Sequence, residues 1–586
     1  MKFSKIYIAL LAAAAIWTGC KDEMDYQESD DSINFEYVSD QFQKIAGLLA
    51  PIYNSVDYDL SNNNSGALLA SATDEAVYSH AGNVIESFYN GSWSAVNPLK
   101  LNWDTCWAGI AYSNHYLDNF LGLTCPEWEL DKNYQALYHR YYNERFEVRF
   151  LRAYFYFVLA RQYGGVPIKT SNLSASESNA LPRASVDEVF KFIEDECNAI
   201  VDSIVVDYSN LGSYGLGKAE DARANRLTVL ALRARAALYY ASPLFNTSND
   251  KSRWEKAAKY NQQVIDEAIS KYSMGLVQRT VDTSMVEVFE ALFGESNKAF
   301  CAKSGEVIWG RRTTSDNKFE TTNFPVGVNT AGGGNCPTQN LVDAFEMRNG
   351  KAIDDANSNY NPQDPYANRD LRLAATVAVV GEYWPNGNTH KLESYYGGSN
   401  ALPTAYGTPT GYYLKKYCKA SQYVSSTKDW QKSFHTWVTF RLAEFYLNYA
   451  EAVLNVTGSG YDNGGYSMTP AEAINVVRNR AGQPNIEEGL SFDEFKARYE
   501  NERFVELAFE GHRFYDVRRW KEATKYFTSI KTMDIRANFN ATDTTYTFTP
   551  KVDNTSRQWN DKMYLFPIPQ SDMLNNAGGW EQNPGW

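Results

Sequence analysis

Histidine and cysteine, the residues that most often build catalytic and metal centres, are scarce in this chain of 586 residues, with six and seven copies. The histidines (His80, His115, His139, His390, His435 and His512) form neither an HxH nor an HExxH pair, which argues against a zinc hydrolase. The cysteines lie far apart without a CxxC. Six of them (Cys106, Cys125, Cys197, Cys301, Cys336 and Cys418) read as small buried apolar residues, or at most an occasional disulfide. Positive charge is short as well: 56 Lys and Arg against 70 Asp and Glu leave a formal −14, which argues against a nucleic-acid binder. Apolar runs long enough for a polytopic membrane protein are missing, and the 44% hydrophobic content excludes wholesale disorder. Gly332-Gly333-Gly334 lacks the Gly-Lys-Ser/Thr of a phosphate loop and reads as a flexible approach to a helix capped by Thr338. What the chain has in excess is rings. Its 14 Trp, 41 Tyr and 30 Phe are more amphipathic surface than core packing alone demands.

Lys2 and Lys5 precede an apolar stretch from Ile6 to Trp17 that closes on Thr18-Gly19-Cys20, too short for a permanent membrane span. It resembles a bacterial lipoprotein signal, which implies lipidation of Cys20 as the first mature residue. Trp17 stands where such signals usually carry an aliphatic residue, and a plain secretory peptide is the alternative. The acidic run Lys21-Asp22-Glu23-Met24-Asp25, with Glu28, Asp30 and Asp31, resembles the surface-export signal of Bacteroidetes lipoproteins. The expected location is the outer membrane, lipid-anchored and exposed at the cell surface, held by lipid rather than by charge.

Apolar spacing predicts long helices over 134–163, 223–240, 254–269, 440–456, 470–481 and from Phe492 to about Ala523. Gly164-Gly165 and Pro243 supply stops, and Pro470 sits in a first turn. Alanines recur where helices must approach closely, as in tetratricopeptide-like hairpins, although no clean 34-residue consensus fits. Residues 57–103 and 273–437 have another texture, rich in Asn, Gly, Ser, Thr, Tyr and Trp. Loops this long in a compact protein are usually functional.

These helices carry recognisable words. Arg152-Ala153-Tyr154-Phe155-Tyr156-Phe157 with Tyr163-Gly164-Gly165-Val166-Pro167, Leu238-Tyr239-Tyr240-Ala241-Ser242-Pro243-Leu244-Phe245-Asn246, and Asn368-Arg369-Asp370-Leu371-Arg372 are similar to the SusD/RagB family. So are Glu502-Arg503, Glu506-Leu507-Ala508-Phe509-Glu510-Gly511-His512-Arg513-Phe514-Tyr515-Asp516, and the closing Leu565-Phe566-Pro567-Ile568-Pro569 with Gln582-Asn583-Pro584-Gly585-Trp586. The resemblance implies a mainly α fold: a SusD-like helical scaffold with tetratricopeptide-like hairpins and an inserted irregular subdomain with short strands. It divides the chain into a signal (1–19), an acidic tether (20–36), an N-terminal scaffold (37–272) with ligand loop 57–103, an inserted region (273–437) and a C-terminal helical region with its tail (438–586). It also implies a surface lipoprotein, not an enzyme, that captures oligosaccharide or polysaccharide and delivers it to a SusC-like TonB-dependent transporter. The alternatives are a surface glycoside hydrolase and a tetratricopeptide-like protein-docking scaffold. Glu506, Glu510 and Arg513, at i, i+4 and i+7, read as salt-bridged scaffold.

A sugar ring has an apolar C–H face and a rim of hydroxyls, so binding it in water needs a flat aromatic surface beside carboxylates and amides. In the family the stretch before the Trp103 helix lines the ligand face. Here it supplies Trp93 as expected platform, Tyr78 and Tyr89 as secondary rings, and Asp74, Glu75 and Asn90 as hydroxyl partners. Packing of Trp93 or Tyr89 onto the scaffold is the competing reading. Phe319, Phe324, Tyr395, Tyr396 and Tyr406, set among Gly, Asn, Thr and Pro, are second-rank candidates. No metal or other cofactor is implied. Asp57-Tyr58-Asp59-Leu60-Ser61 begins like a calcium loop, but Asn62 stands where Gly is needed and Leu68 where Glu is needed, so only an opportunistic calcium remains open.

Overall fold

The computed structural model describes Val38 and residues 42–586, except 212–221, 280–283, 295–299, 314–315, 386–390, 422–431, 528, 542 and 554–556. Cys20, the signal and the acidic run lie outside the described residues.

The scaffold consists of helices that pack on one another in succession. Tyr134–Tyr163 packs against both Trp103–Asn119 and Val186–Ile200; Arg226–Ala241 packs on Lys251–Ser270, which meets Leu442–Thr457, which meets Pro470–Ala481. Capping boxes start several of them, with Ser185 and Glu188, Asn225 and Thr228, or Thr469 and Glu472 exchanging side-chain and backbone hydrogen bonds. Left-handed Gly482 ends the last of these, and left-handed Gly458 ends Leu442–Thr457. The central Tyr134–Tyr163 helix shows little amphipathic pattern because Phe150 to Ala160 is buried on every side. Ala234, Ala257, Ala258 and Ala450 are buried where their helices meet. Among the described residues no helix is long and apolar enough to cross a membrane.

Among the described residues eight strands form four antiparallel pairs: β1 (Ala76–Tyr78) with β3 (Asn335–Pro337), β2 (Val307–Arg312) with β6 (Thr436–Arg441), β4 (Val377–Ala378) with β5 (Tyr413–Leu414), and β7 (Lys531–Phe539) with β8 (Thr544–Val552). Strand β6 corrects the expected helix over 440–456, which starts only at Leu442 because the preceding residues pair with β2. The expected helix from Phe492 to about Ala523 is broken into Phe492–Glu506, Arg513–Arg519 and Ala523–Phe527. Phe509 and Gly511 there take φ of +61° and +76°, which no continuous right-handed helix allows.

Buried apolar side chains gather mainly in two cores. One lies among the scaffold helices. The other includes Phe289, Phe345, Tyr412 and Tyr413 of the region between them, completed by Leu60, Leu68, Phe504 and Phe548 from outside it. Strands β2 and β6 and the Phe492–Glu506 helix belong to both: Trp309, Phe440 and Phe495 face the first core, while Val307, Val438 and Phe504 face the second.

Candidate functional site

The loop after the Leu69–Ala72 turn runs into β1, and Asn335 of β3 locks it in place. The Asn335 amide oxygen accepts from the Leu68 N–H and the Ser71 hydroxyl, both at 2.8 Å. Its amide nitrogen donates to Asn323 Oδ1 at 2.7 Å and to the Gly66 carbonyl at 3.2 Å. A buried amide so fully satisfied fixes the loop rigidly.

That rigidity turns the two expected hydroxyl-binding carboxylates inward, which corrects the expectation for both. Asp74 is buried and accepts from Arg513 Nε at 2.9 Å and Nη2 at 2.7 Å. Arg513 is itself held between the rings of Phe504 and Tyr526. Glu75 is buried and accepts the Phe509 N–H at 2.8 Å, a donor left without a helical partner where the chain breaks. Burial is the main cause that pushes the Glu75 carboxyl up to about 7.

The expected platform is also core. Trp93 is 2% exposed, donates from its indole to the Pro98 carbonyl, and meets Phe88, Phe566 and Trp586 edge-on at 4.8–4.9 Å. Its ring faces are closed off by the tail of the chain. Tyr89 is buried under the Arg557 guanidinium, 4.4 Å from its centroid. Phe324 is buried against Trp384, and Phe319 is buried beside Tyr417 and His435, with one edge on a cavity. Asn90 stays at the surface, its amide oxygen accepting from the Ser92 N–H.

Tyr78, in β1, is buried as well, which corrects its expected role as an exposed ring; the exposed rings lie on the loop around 393–408, beside half-buried His80 just beyond β1. Tyr406 is 53% exposed, holds a φ of +62°, and stacks on His80 with centroids 3.9 Å apart and planes 12° from parallel. A tyrosine in that backbone region is a strained outlier, of the kind found where a side chain is presented for a purpose. His80 donates from Nε2 to the Gly332 carbonyl at 2.7 Å and lies 5.1 Å from Tyr78, whose hydroxyl donates to the Ser65 carbonyl. The glycine triplet is a close approach and not a flexible linker. A Cβ on Gly333 would stand 2.4 Å from the Tyr406 carbonyl oxygen, and one on Gly334 would stand 2.5 Å from the Thr322 carbonyl oxygen. Thr338 does cap the helix that follows.

The same loop carries Tyr396, 54% exposed with the Arg536 guanidinium 4.2 Å from its centroid, and Leu402, also exposed. Half-buried Tyr395 packs on Tyr546 and on exposed Phe539 of the β7–β8 hairpin. Rings and a guanidinium therefore gather at two places along one loop, His80 with Tyr406 and Tyr396 with Arg536, a combination suited to C–H faces and hydroxyl rims. His80, Arg536 and Phe539 were not anticipated. The signal for His80 was its place two residues beyond Tyr78, on the same face of an extended chain. Arg536 and Phe539 gave none, because their hairpin joins the surface only through tertiary packing.

The calcium-like stretch is committed elsewhere. Asp57 accepts from Tyr154 at 2.5 Å and Arg161 at 3.0 Å, and Asp59 accepts the Leu69 N–H at 2.7 Å. Among the described residues no group of three metal-binding side chains gathers, and their six cysteines are free thiols.

A helical-repeat scaffold carrying a ring-studded loop surface is the class these features define. The model described as "SusD family" matches residues 305–586, and a second, described as "Starch-binding associating with outer membrane", matches residues 22–209. The chain belongs to the SusD/RagB family. SusD-like protein P2 of Formosa agariphila is 26% identical over 156 residues, a match that spans only 27% of this chain and 27% of that protein. A SusD-like protein from Bacteroides fragilis superposes with a TM-score of 0.71 at 24% identity, covering 93% of this chain and 97% of that one. A SusD-like carbohydrate binding protein from the same organism gives 0.69 at 21% identity, covering 92% and 98%. These likenesses establish the fold, mainly helical with few short strands.

Proposed function

We propose that the chain is a non-catalytic glycan-binding lipoprotein of the outer membrane, anchored through Cys20 and exposed at the cell surface. It captures oligosaccharide or polysaccharide and passes it to a SusC-like TonB-dependent transporter. Family membership and the carbohydrate-binding description of a structural relative support the reading. The observation that carries it is the half-exposed Tyr406 ring held on His80 in a strained backbone. Two or three such rings contribute about 0.5–1.5 kcal/mol each and a few hydrogen bonds about 1 each, so after ordering costs the net corresponds to micromolar to millimolar affinity, roughly −8 to −4 kcal/mol. Weak capture suits hand-over.

Affinity electrophoresis against a polysaccharide panel tests the reading. Wild-type protein is retarded on at least one polysaccharide and Tyr406→Ala less so. Retention of none, or release of sugar from any of them, would overturn it. Asp74 and Glu75 are shut away from solvent and supply no pair of catalytic carboxyls. Anchoring is checked separately by labelling with a fatty-acid analogue, which Cys20→Ala abolishes.

A further inference from the structure

The Lys318–Asn323 helix, whose Thr321 and Thr322 carbonyls press on the glycine triplet, also borders a cavity of about 620 Å³. That volume is enough for a small ligand. Half-buried Tyr53 and Tyr58 form ring walls, and among the described residues the Lys, Arg, Asp and Glu that line it are Arg223, Arg311, Arg312 and Lys318 with Asp316.

These cations are not equivalent. Arg223 is neutralised by Glu147, with Nη2 and Nε at 2.6 and 3.0 Å from its carboxylate oxygens. Arg311 is held without being neutralised. Its Nη1 donates to the carbonyls of Asn54 at 3.0 Å and Val56 at 2.8 Å, and the guanidinium lies 4.2 Å from the Tyr58 centroid. Among the described residues no carboxylate comes within ion-pair distance of Arg311, and its Nε and Nη2 have no acceptor. Lys318 is exposed and has no ion-pair partner among them either; Asp316 only caps the Lys318 backbone N–H. In a chain of formal charge −14, two uncompensated cations at one ring-walled cavity are a local reversal of sign. A guanidinium fixed by carbonyls keeps its remaining edge pre-organised for a planar or tetrahedral anion.

We propose that this cavity is a subsite for an anionic saccharide unit, one bearing a carboxylate or a sulfate. Arg311 receives the anionic group through Nε and Nη2, and Lys318 strengthens the attraction at the rim. The class of ligand rests on the reading of the protein as a glycan binder; the preference for negative charge rests on the cavity alone.

Isothermal titration with a glucuronate-terminated disaccharide, its sulfated counterpart and its neutral analogue tests this in the full chain. The acidic sugars bind at least tenfold more tightly than the neutral one at 50 mM salt, and the gap narrows at 500 mM. Whichever of the two binds more tightly identifies the anion. Arg311→Gln removes the preference, Arg311→Lys restores part of it, and Lys318→Gln reduces it. Lys191→Gln, an exposed lysine paired with Asp195, leaves it unchanged. Lys318 is exposed, so its variant keeps the test decisive if Arg311→Gln does not fold. Equal binding of acidic and neutral sugars, or a preference surviving both glutamine variants, overturns the subsite. Polysaccharide retention without acidic preference overturns the subsite and leaves glycan capture standing. Glucuronate binding lost in Arg311→Gln while no polysaccharide is retained supports the subsite and overturns capture.

Discussion

Tyr406 and Trp93 are both aromatic residues in polar stretches, yet one shows half its ring to solvent and the other almost none. The difference predicts opposite phenotypes. Tyr406→Ala removes one stacking surface, so retention on the best polysaccharide weakens roughly two- to tenfold while the thermal midpoint hardly moves. Trp93→Ala opens a cavity against Phe88, Phe566 and Trp586 and costs about 3–5 kcal/mol in denaturant unfolding, with any binding loss following the loss of folded protein. Gly333 ties the two kinds of behaviour together. At φ +84°, with the Tyr406 carbonyl oxygen 2.4 Å from where its Cβ would be, Gly333→Ala costs about 2 kcal/mol and displaces the ring-bearing loop. The expected result is retention as weak as that of Tyr406→Ala with an unchanged far-ultraviolet circular dichroism spectrum.

At the scale of elements, the break between Glu506 and Arg513 organises the loop that enters β1, because it frees the Phe509 N–H for Glu75 and aims Arg513 at Asp74. Burial holds the Glu75 pKa near 7 in the folded chain, above its ordinary value. The folded state therefore favours the protonated acid. Its contribution to stability is complete below about pH 4.5 and is lost as pH rises through about 7, a swing of about 3 kcal/mol at most. Glu75→Gln keeps the acceptor for Phe509 and carries no charge. It is expected to match wild type in urea unfolding at pH 4.5 and to exceed it at pH 8; equal stability at pH 8 would refute the assignment. The 507–512 break also marks the limit of what the sequence discloses. Helices such as Tyr134–Tyr163 and Pro470–Ala481 were legible to the residue because local spacing, caps and glycine stops determine them. Whether Asp74 or Trp93 faces water is decided by Arg513 and Trp586, more than 400 positions away, and no local pattern encodes that. The second-rank rings Tyr396 and Tyr406 were visible from their polar neighbours, whereas His80 and Arg536 became functional candidates only by contact.

Across the whole molecule, the two apolar cores are joined by a buried lattice of charge. Arg441 donates to Glu306 at 2.7 Å, to Glu506 at 2.6 Å and to Glu510 at 2.7 Å. Arg480 shares Glu306 and Glu506; Arg372 joins Glu506 to Glu502 and Asp370; and Lys416 closes on Glu510. The neighbouring cations are the main cause holding Glu506 and Glu510 below the usual carboxylate range against the opposing effect of burial. Ions so deeply buried tolerate one another only as a complete set, and removing one partner leaves charges with neither water nor counter-ion. The lattice gathers Glu306 from just before β2, Asp370 and Arg372 from just before β4, Lys416 from just after β5, Arg441 from β6, Arg480 from the Pro470–Ala481 helix, Glu502 and Glu506 from the Phe492–Glu506 helix, and Glu510 from the break that follows it. Neither core can therefore open without exposing or stranding its charges. One cooperative transition is expected in calorimetry, coincident by tryptophan fluorescence and near-ultraviolet circular dichroism, and separate transitions would refute the coupling. Arg441→Met is expected to lower that single transition by about 3–5 kcal/mol, while Lys191→Met, which breaks an exposed pair with Asp195, changes it by less than about 1 kcal/mol. The inserted loops then owe their rigidity to the scaffold's charges as much as to their own apolar contacts, which is why a surface of irregular loops can hold Tyr406 strained and ready.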